Sequence, residues 1–307
     1  MLVKARVANR EAPQGPTMKP RVLLLGVVAL GCAAPNAVAE PARHVCNVET
    51  VDSKGPITVL RGRQELMLVP YLPLLVGDRI RLGDNVKAEI TLRCGAERLV
   101  KHGDFVVEHH AEPPTRSRNA MAWLSRFFFE WDHGGESVAT VASRGVEDSP
   151  ALMMIDGEAV IGAGRKRLSV AWAGGEAPFV VRLRREGAEV DAAQAVAAES
   201  HSARFSLEAA MEPGHFEVSV TDARQRTGRG RLRAVPIDKL PTPPDDFSAS
   251  DPGDVVGLTL EASWLAAVGH GDLDLEAYQR LAALAPRHRP AAGLLAGLEA
   301  GFRLSPP

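Results

Sequence analysis

The residue types best able to do chemistry in this chain are few. Glu108-His109-His110-Ala111-Glu112 is the densest group of metal-ligand types. On a strand, Glu108, His110 and Glu112 would share one face. His102 and Asp104 lie just upstream. Zinc sites take about four ligands in tetrahedral array, usually from separate segments. The group is therefore either a metal or enzymatic site completed from elsewhere, or a polar strand edge running into a loop. The second feature is Arg224–Arg233, where Arg229, Arg231 and Arg233 alternate. On a strand their guanidiniums would share one sheet face. Arg182 and Arg184 would join them if their strand lies alongside. Guanidinium forks match carboxylate and phosphate groups, so such a face would capture an anionic polymer or an acidic partner. The plain alternative is a solvated face that blunts a strand edge. No nucleophile elbow, zinc-protease or Walker motif is present. Gly-rich text at Ile161–Arg165 is not followed by helical text, which argues against a phosphate loop. No catalytic residue is assigned, no cofactor is implied, and a non-enzymatic protein is expected.

Composition narrows the field. The chain has 307 residues, 45% hydrophobic and 24% charged, with a formal charge of −2. That balance excludes a wholly disordered chain, a multi-span membrane protein and a strongly basic nucleic-acid binder. Lys19-Pro20-Arg21, the apolar run Val22–Gly31 and the small-x-small pattern Ala37-Val38-Ala39 together read as a secretory signal cleaved before Glu40. Residues 1–17 then read as an extension ahead of Met18. A second reading takes Ala29-Leu30-Gly31-Cys32 as a loose lipobox with Cys32 lipidated, the one route by which a membrane would be involved. The expected location is periplasmic or extracellular, in an exported bacterial protein. Cleavage before Glu40 takes the charge to −6 and leaves Cys46 and Cys94. An even pair in an oxidising compartment predicts a disulfide, with two buried thiols as the alternative.

Elements follow from periodicity. Ile57–Arg61, Leu66–Val69, a strand within Val76–Asn85, Lys87–Arg93, Arg98–Val100 and Phe105–Val107 read as short strands, with a turn at Cys94-Gly95. Leu75–Gly83, then Lys87–Leu92, then Gly95 and a β return, resembles the FecR-type domain over about residues 45–110. Leu82 stands where that family usually has Thr, and Cys94-Gly95-Ala96 replaces its usual turn. The resemblance implies an envelope-facing interaction module binding an envelope protein or an anionic glycan. The family's cytoplasmic signalling segment and spanning helix have no counterpart here.

The remaining text divides clearly. A polar stretch precedes a helix expected over 120–131, capped by Asn119. Its stripe at 120, 123, 124, 127, 128 and 131 predicts a connector packed between two β modules, with Trp123 and Trp131 buried and Phe129 the aromatic left exposed to bind. Strands at Leu168–Trp172, Phe179–Leu183, Ala203–Leu207 and His215–Val220 resemble an immunoglobulin- or fibronectin-like sandwich, with a buried Trp facing an aromatic on a late strand. The expected fold is mainly β. Its domains are a leader over 1–39, a FecR-like module over 40–112, a helical connector over 113–149, a sandwich over 150–235, a Pro/Asp linker over 236–253 and a helical tail over 254–307. Asp254 opens the tail, which is too short to stand alone and must dock on the sandwich or on a partner.

Overall fold

The computed structural model describes residues 43–110, 116–143, 149–186, 190–196 and 201–307, with backbone alone for 132–143 and 190–196. The leader and Glu112 lie outside the described residues. The first module holds β1 (His44–Ser53), β2 (Ile57–Arg61), β3 (Gln64–Met67), β4 (Pro73–Leu75), β5 (Arg79–Leu82), β6 (Ala88–Cys94), β7 (Glu97–Lys101) and β8 (Phe105–Val106). They form two four-stranded sheets, ordered β4-β1-β6-β7 and β3-β2-β5-β8. Val45, Val48, Ile57, Val59, Ile80, Ile90 and Leu92 fill a separate small core. Cys46 and Cys94 are disulfide-bonded, tying β1 to β6 across 48 residues. The two buried thiols of the alternative reading are thereby set aside.

Arg118–Ser143 forms α1. The Ser117 hydroxyl accepts from the Asn119 N–H, so the cap lies two residues earlier than Asn119. The sandwich follows as β9 (Ala151–Leu152), β10 (Glu158–Gly162), β11 (Arg167–Ala173), β12 (Phe179–Arg185), β13 (Val190–Val196), β14 (Ser202–Ser206), β15 (Gly214–Thr221) and β16 (Thr227–Val235). One sheet is ordered β10-β16-β15-β12-β13 and the other β14-β11-β9. The chain changes sheets between β9 and β10, and β10 then runs parallel to the last strand, β16. A three-stranded sheet facing a larger one, in which the final hairpin β15–β16 is flanked by β12 and by the early strand β10, is an immunoglobulin-like arrangement. Trp172 is buried as expected, but it lies on β11 and packs edge-on against Phe179 of the next strand, at 5.2 Å, rather than against a late strand.

The alternation of Arg with Gly in β16 has a packing cause. A Cβ at Gly230 would come within 2.7 Å of Ile155 and 2.9 Å of Leu152, and one at Gly228 within 2.0 Å of the Pro150 carbonyl oxygen. The segment leading through β9 crosses under β16 at these glycines, so the inward positions must be bare while the arginines face out.

Residues 236–253 are not a free linker. They make two short 3-10 turns, and Leu240 and Phe247 are buried. Helices α2 (Val255–Val268), α3 (Asp274–Leu284) and α4 (Arg289–Glu299) follow. Asp254 caps α2 as expected, accepting from Gly257 N–H at 2.9 Å. The tail docks on the sandwich through α3. Glu276 accepts from the Gly162 N–H at 2.9 Å, and the Asp272 carbonyl accepts from the Val160 N–H at 2.7 Å, closing the open edge of β10. The Gln279 amide accepts from Ser169 N–H at 2.7 Å and donates to its carbonyl at 2.6 Å, completing β11 like one residue of a neighbouring strand. One helix thus caps both sheets on one side.

Helix α1 does not lie between the β modules, as its stripe suggested. It packs on α2, α4 and β4. Phe127 enters α4 where a Cβ at Gly297 would stand 2.4 Å from the ring, and Trp123 donates to the Ser305 carbonyl at 2.8 Å. Trp123 is buried, and Trp131 is half-buried, stacked on Phe127. The tail therefore sits where a β module was expected. Val69 and Tyr71 of the first module join the same core as α1, the tail and the sandwich.

Candidate functional site

The arginine pattern resolves into a ladder on the outer face of the five-stranded sheet. Arg184 opposes Glu217, Glu217 opposes Arg231, and Arg231 opposes Glu158, so one row crosses four strands. A second row is Arg182, Ser219 and Arg229, and it contains no carboxylate among its described residues. Arg233 completes the outward series on β16. All five arginines are exposed. The surface is partly self-neutralised. Arg184 lies 3.3 Å and Arg229 3.9 Å from Glu217, and Arg233 lies 3.3 Å from Glu158. Arg182 and Arg231 have no ion pair among the described residues. Five guanidiniums face two carboxylates on these strands, so positive charge is in surplus, and it is densest where Arg182 and Arg229 flank Ser219. Two strand spacings, roughly 9.5 Å, separate those two positions. Arg182 and Arg184 joined the set because β12 pairs with β15, which pairs with β16.

The His-rich group is dispersed. Strand β8 stops at Val106, so Glu108 and His110 do not share a strand face. The His109 ring nitrogen accepts from Arg43 at 2.8 Å. His110 turns instead toward Glu97, at 3.9 Å, and toward the disulfide. Cys46, Cys94 and His110 are close enough to hold an ion, but both sulfurs are bonded to each other, which leaves no thiolate ligand. Glu108 is exposed, and Glu112 lies outside the described residues. Phe129 is 46% exposed, as its place off the stripe suggested.

Three features were not read from the sequence. A cleft of ≈ 490 Å³ lies between the first module and the N-terminus of α2. Its charges are matched: Glu49 pairs with Arg93 at 3.4 Å and Arg98 at 3.1 Å, and Arg116 pairs with Asp254 beside Asp251, three arginines against three carboxylates. Nearby, the Tyr71 hydroxyl and His288 Nε2 share a hydrogen bond at 2.6 Å, a buried contact between the first module and the residue that opens α4. Burial pushes the His288 imidazole down to about 4, against the opposing pull of Glu49. A neutral ring, with one donor and one acceptor nitrogen, suits this buried contact without placing a charge there. The third is Glu276, buried on α3, which takes Arg165 and, at 2.9 Å, Arg280. Such single buried polar residues carry no periodic signal in a sequence.

No family model and no curated relative matches the chain. Solved structures with some likeness include CopC from Methylosinus trichosporium OB3b, at 12% identity and TM-score 0.24, over 30% of this chain and 99% of that one. The BSP domain of a biofilm associated protein has 10% identity and TM-score 0.24, over 63% of this chain and 28% of that one. The chicken CNTN1 FN1-FN3 domains have 11% identity and TM-score 0.20, over 64% of this chain and 66% of theirs. Scores this low carry no argument about fold or function. The sandwich rests on the strand order described above.

Proposed function

We propose that this chain is an exported cell-envelope protein that binds, without catalysing a reaction, an anionic glycan along the arginine ladder. The observation that carries the reading is the surplus of guanidiniums on one sheet face. The outward positions of β12, β15 and β16 hold Arg, Glu, Ser, Thr, His and a half-buried Val180, and the aromatics of these strands, Phe179 and Phe216, are buried on the other face. Protein interfaces concentrate their energy in desolvated aromatic and Arg anchors in pockets. A repeating row of forks at about 6.8 Å along the strand suits a repeating polyanion better. The buried disulfide and the leader-like segment support export. On this reading the first module is a FecR-like interaction domain fused to the sandwich. Among the described residues no helix is long and apolar enough to cross a membrane.

The test uses the full mature chain and polygalacturonate, a uronic-acid polymer. Binding should be saturable at low salt and weaken as salt rises. The triple variant Arg229→Gln/Arg231→Gln/Arg233→Gln should weaken it at least about tenfold, as expected for losing charge-assisted hydrogen bonds of roughly 1.5–3 kcal/mol each. Binding untouched by the triple variant would contradict the site. Retention of the chain in the cytoplasm with an intact N-terminus would contradict export.

A further inference from the structure

We propose that the groove between α3 and the outer face of the three-stranded sheet is a second, separate anion site. It is shaped for a phosphate-type group on a ligand about the size of a monosaccharide. The site lies on the sheet opposite the arginine ladder and is independent of the glycan reading.

The groove encloses ≈ 340 Å³, with Arg165, Lys166, Arg167 and Arg204 around a floor of Ser169 and Gln279. That is the small end of the range for ligand sites, roughly 300–1,000 Å³. Strand register brings the cations together. Arg167 opposes Ser206 and Ser169 opposes Arg204, so Arg167 and Arg204 share one face as diagonal neighbours. Diagonal positions lie about 7–8 Å apart, close enough for two long side chains to meet on one oxyanion.

The charges here are unmatched, unlike those of the ≈ 490 Å³ cleft at α2. Arg165 is neutralised by Glu276, which also serves Arg280, and Arg280 continues to Glu261 at 3.4 Å. That chain is balanced, two arginines against two carboxylates. Arg204 spends its donors on neutral acceptors, the Ser169 hydroxyl at 3.4 Å and the Ala282 carbonyl at 3.3 Å. Its charge therefore stays uncompensated, while these bonds hold the guanidinium at the groove. Lys166 and Arg167 are exposed and have no ion pair among the described residues. Three positive charges thus converge on one concavity. A multiply charged oxyanion gains most from such a set, and Arg forks meet its geometry in bidentate fashion.

The floor is rigid for a separate reason. Gln279 is consumed by the Ser169 backbone and cannot rotate away without opening the edge of β11. Ala282 and Ala283 leave room for a compact ligand body. No aromatic side chain lines the groove, so a stacked nucleobase finds no platform.

The test is an amide NMR titration of the full mature chain with inorganic phosphate and with glucose 6-phosphate. Glucose and sodium chloride at matched ionic strength are the controls. Saturable shifts at residues 165–169 and 203–206 from both phosphates, but from neither control, are expected. Arg167→Gln/Arg204→Gln should weaken the affinity at least about tenfold, on the same charge-assisted arithmetic. Arg231→Gln on the other sheet should leave it unchanged. Lys166→Gln/Arg167→Gln changes only exposed side chains, so it keeps the test meaningful if Arg204 proves necessary for folding. Three results would overturn the proposal: no saturation, shifts reproduced by chloride, or affinity unaltered in both double variants.

Discussion

The two β regions solve the same problem in different ways. The first module has a small core of its own and a disulfide between β1 and β6. The sandwich has no cysteine, and its core merges with α1 and the tail. A module of under 70 residues buries little apolar surface, so a staple is worth most there. The sandwich instead has β10 and the unpaired stretch of β11 closed by Glu276 and Gln279 of α3 and by the Asp272 carbonyl just ahead of it. A covalent staple stabilises one region, and polar complementarity stabilises the other.

The largest expected effect therefore lies in the cap. Glu276→Ala would strand Arg165 and the Gly162 N–H in a buried setting, and breaking such a pair costs about 3–5 kcal/mol. Thermal unfolding should show a large fall in Tm, with Glu276→Gln losing less because it still accepts from Gly162. A shift under 1 °C would mean that the edges of the sandwich need no cap.

Cys46→Ala/Cys94→Ala comes next. Releasing a loop of 48 residues is worth roughly 2–4 kcal/mol. Amide exchange should rise first in β1, β4 and β6, leaving β15 and β16 protected. Equal loss of protection in both regions would show that the shared core, not the staple, governs the first module.

The contact between the first module and the helical tail, Tyr71 with His288, should be pH-sensitive. Burial pushes the His288 imidazole down to about 4 in the fold, against near 6.5 when unfolded. Between those values the unfolded chain binds the extra proton, so stability falls as pH drops through this window and is fully present above it. Denaturant midpoints measured from pH 7 to 4 should follow this slope. His288→Gln should flatten it, and an unchanged slope would place the titration elsewhere.

The smallest effect is expected on the ladder. Arg231 is exposed and makes no ion pair among the described residues, so Arg231→Gln should move stability by less than about 0.5 kcal/mol. A larger loss would make the ladder a structural feature rather than a binding one.

Much of this architecture was legible in residue patterns. Ile57–Arg61 matches β2 to the residue, and the alternation in Lys87–Arg93 anticipates β6. β1 was not legible, because Asn47 and Glu49 are buried in its middle and a register shift between Val48 and Thr50 breaks the period. β13 reads Val-Asp-Ala-Ala-Gln-Ala-Val, poor strand text whose conformation is set by pairing with β12. Five prolines made residues 236–253 look like a spacer, yet Leu240 and Phe247 suffice to seat it. At the candidate site, the alternation of Arg229, Arg231 and Arg233 was visible. Glu217, which tempers it, lies on the preceding strand, but its place opposite Arg231 depends on register, and Glu158 arrives from β10 far upstream, so no local pattern announces either contact.

The most direct test is the arginine side-chain Nε–Hε spectrum of the mature protein, recorded during titration with polygalacturonate. The account predicts that Arg182, Arg229 and Arg231 shift saturably and most strongly, with Arg93, Arg98 and Arg116 unmoved. Shifts spread evenly over all exposed arginines, or confined to the first module, would contradict a glycan site on the sandwich.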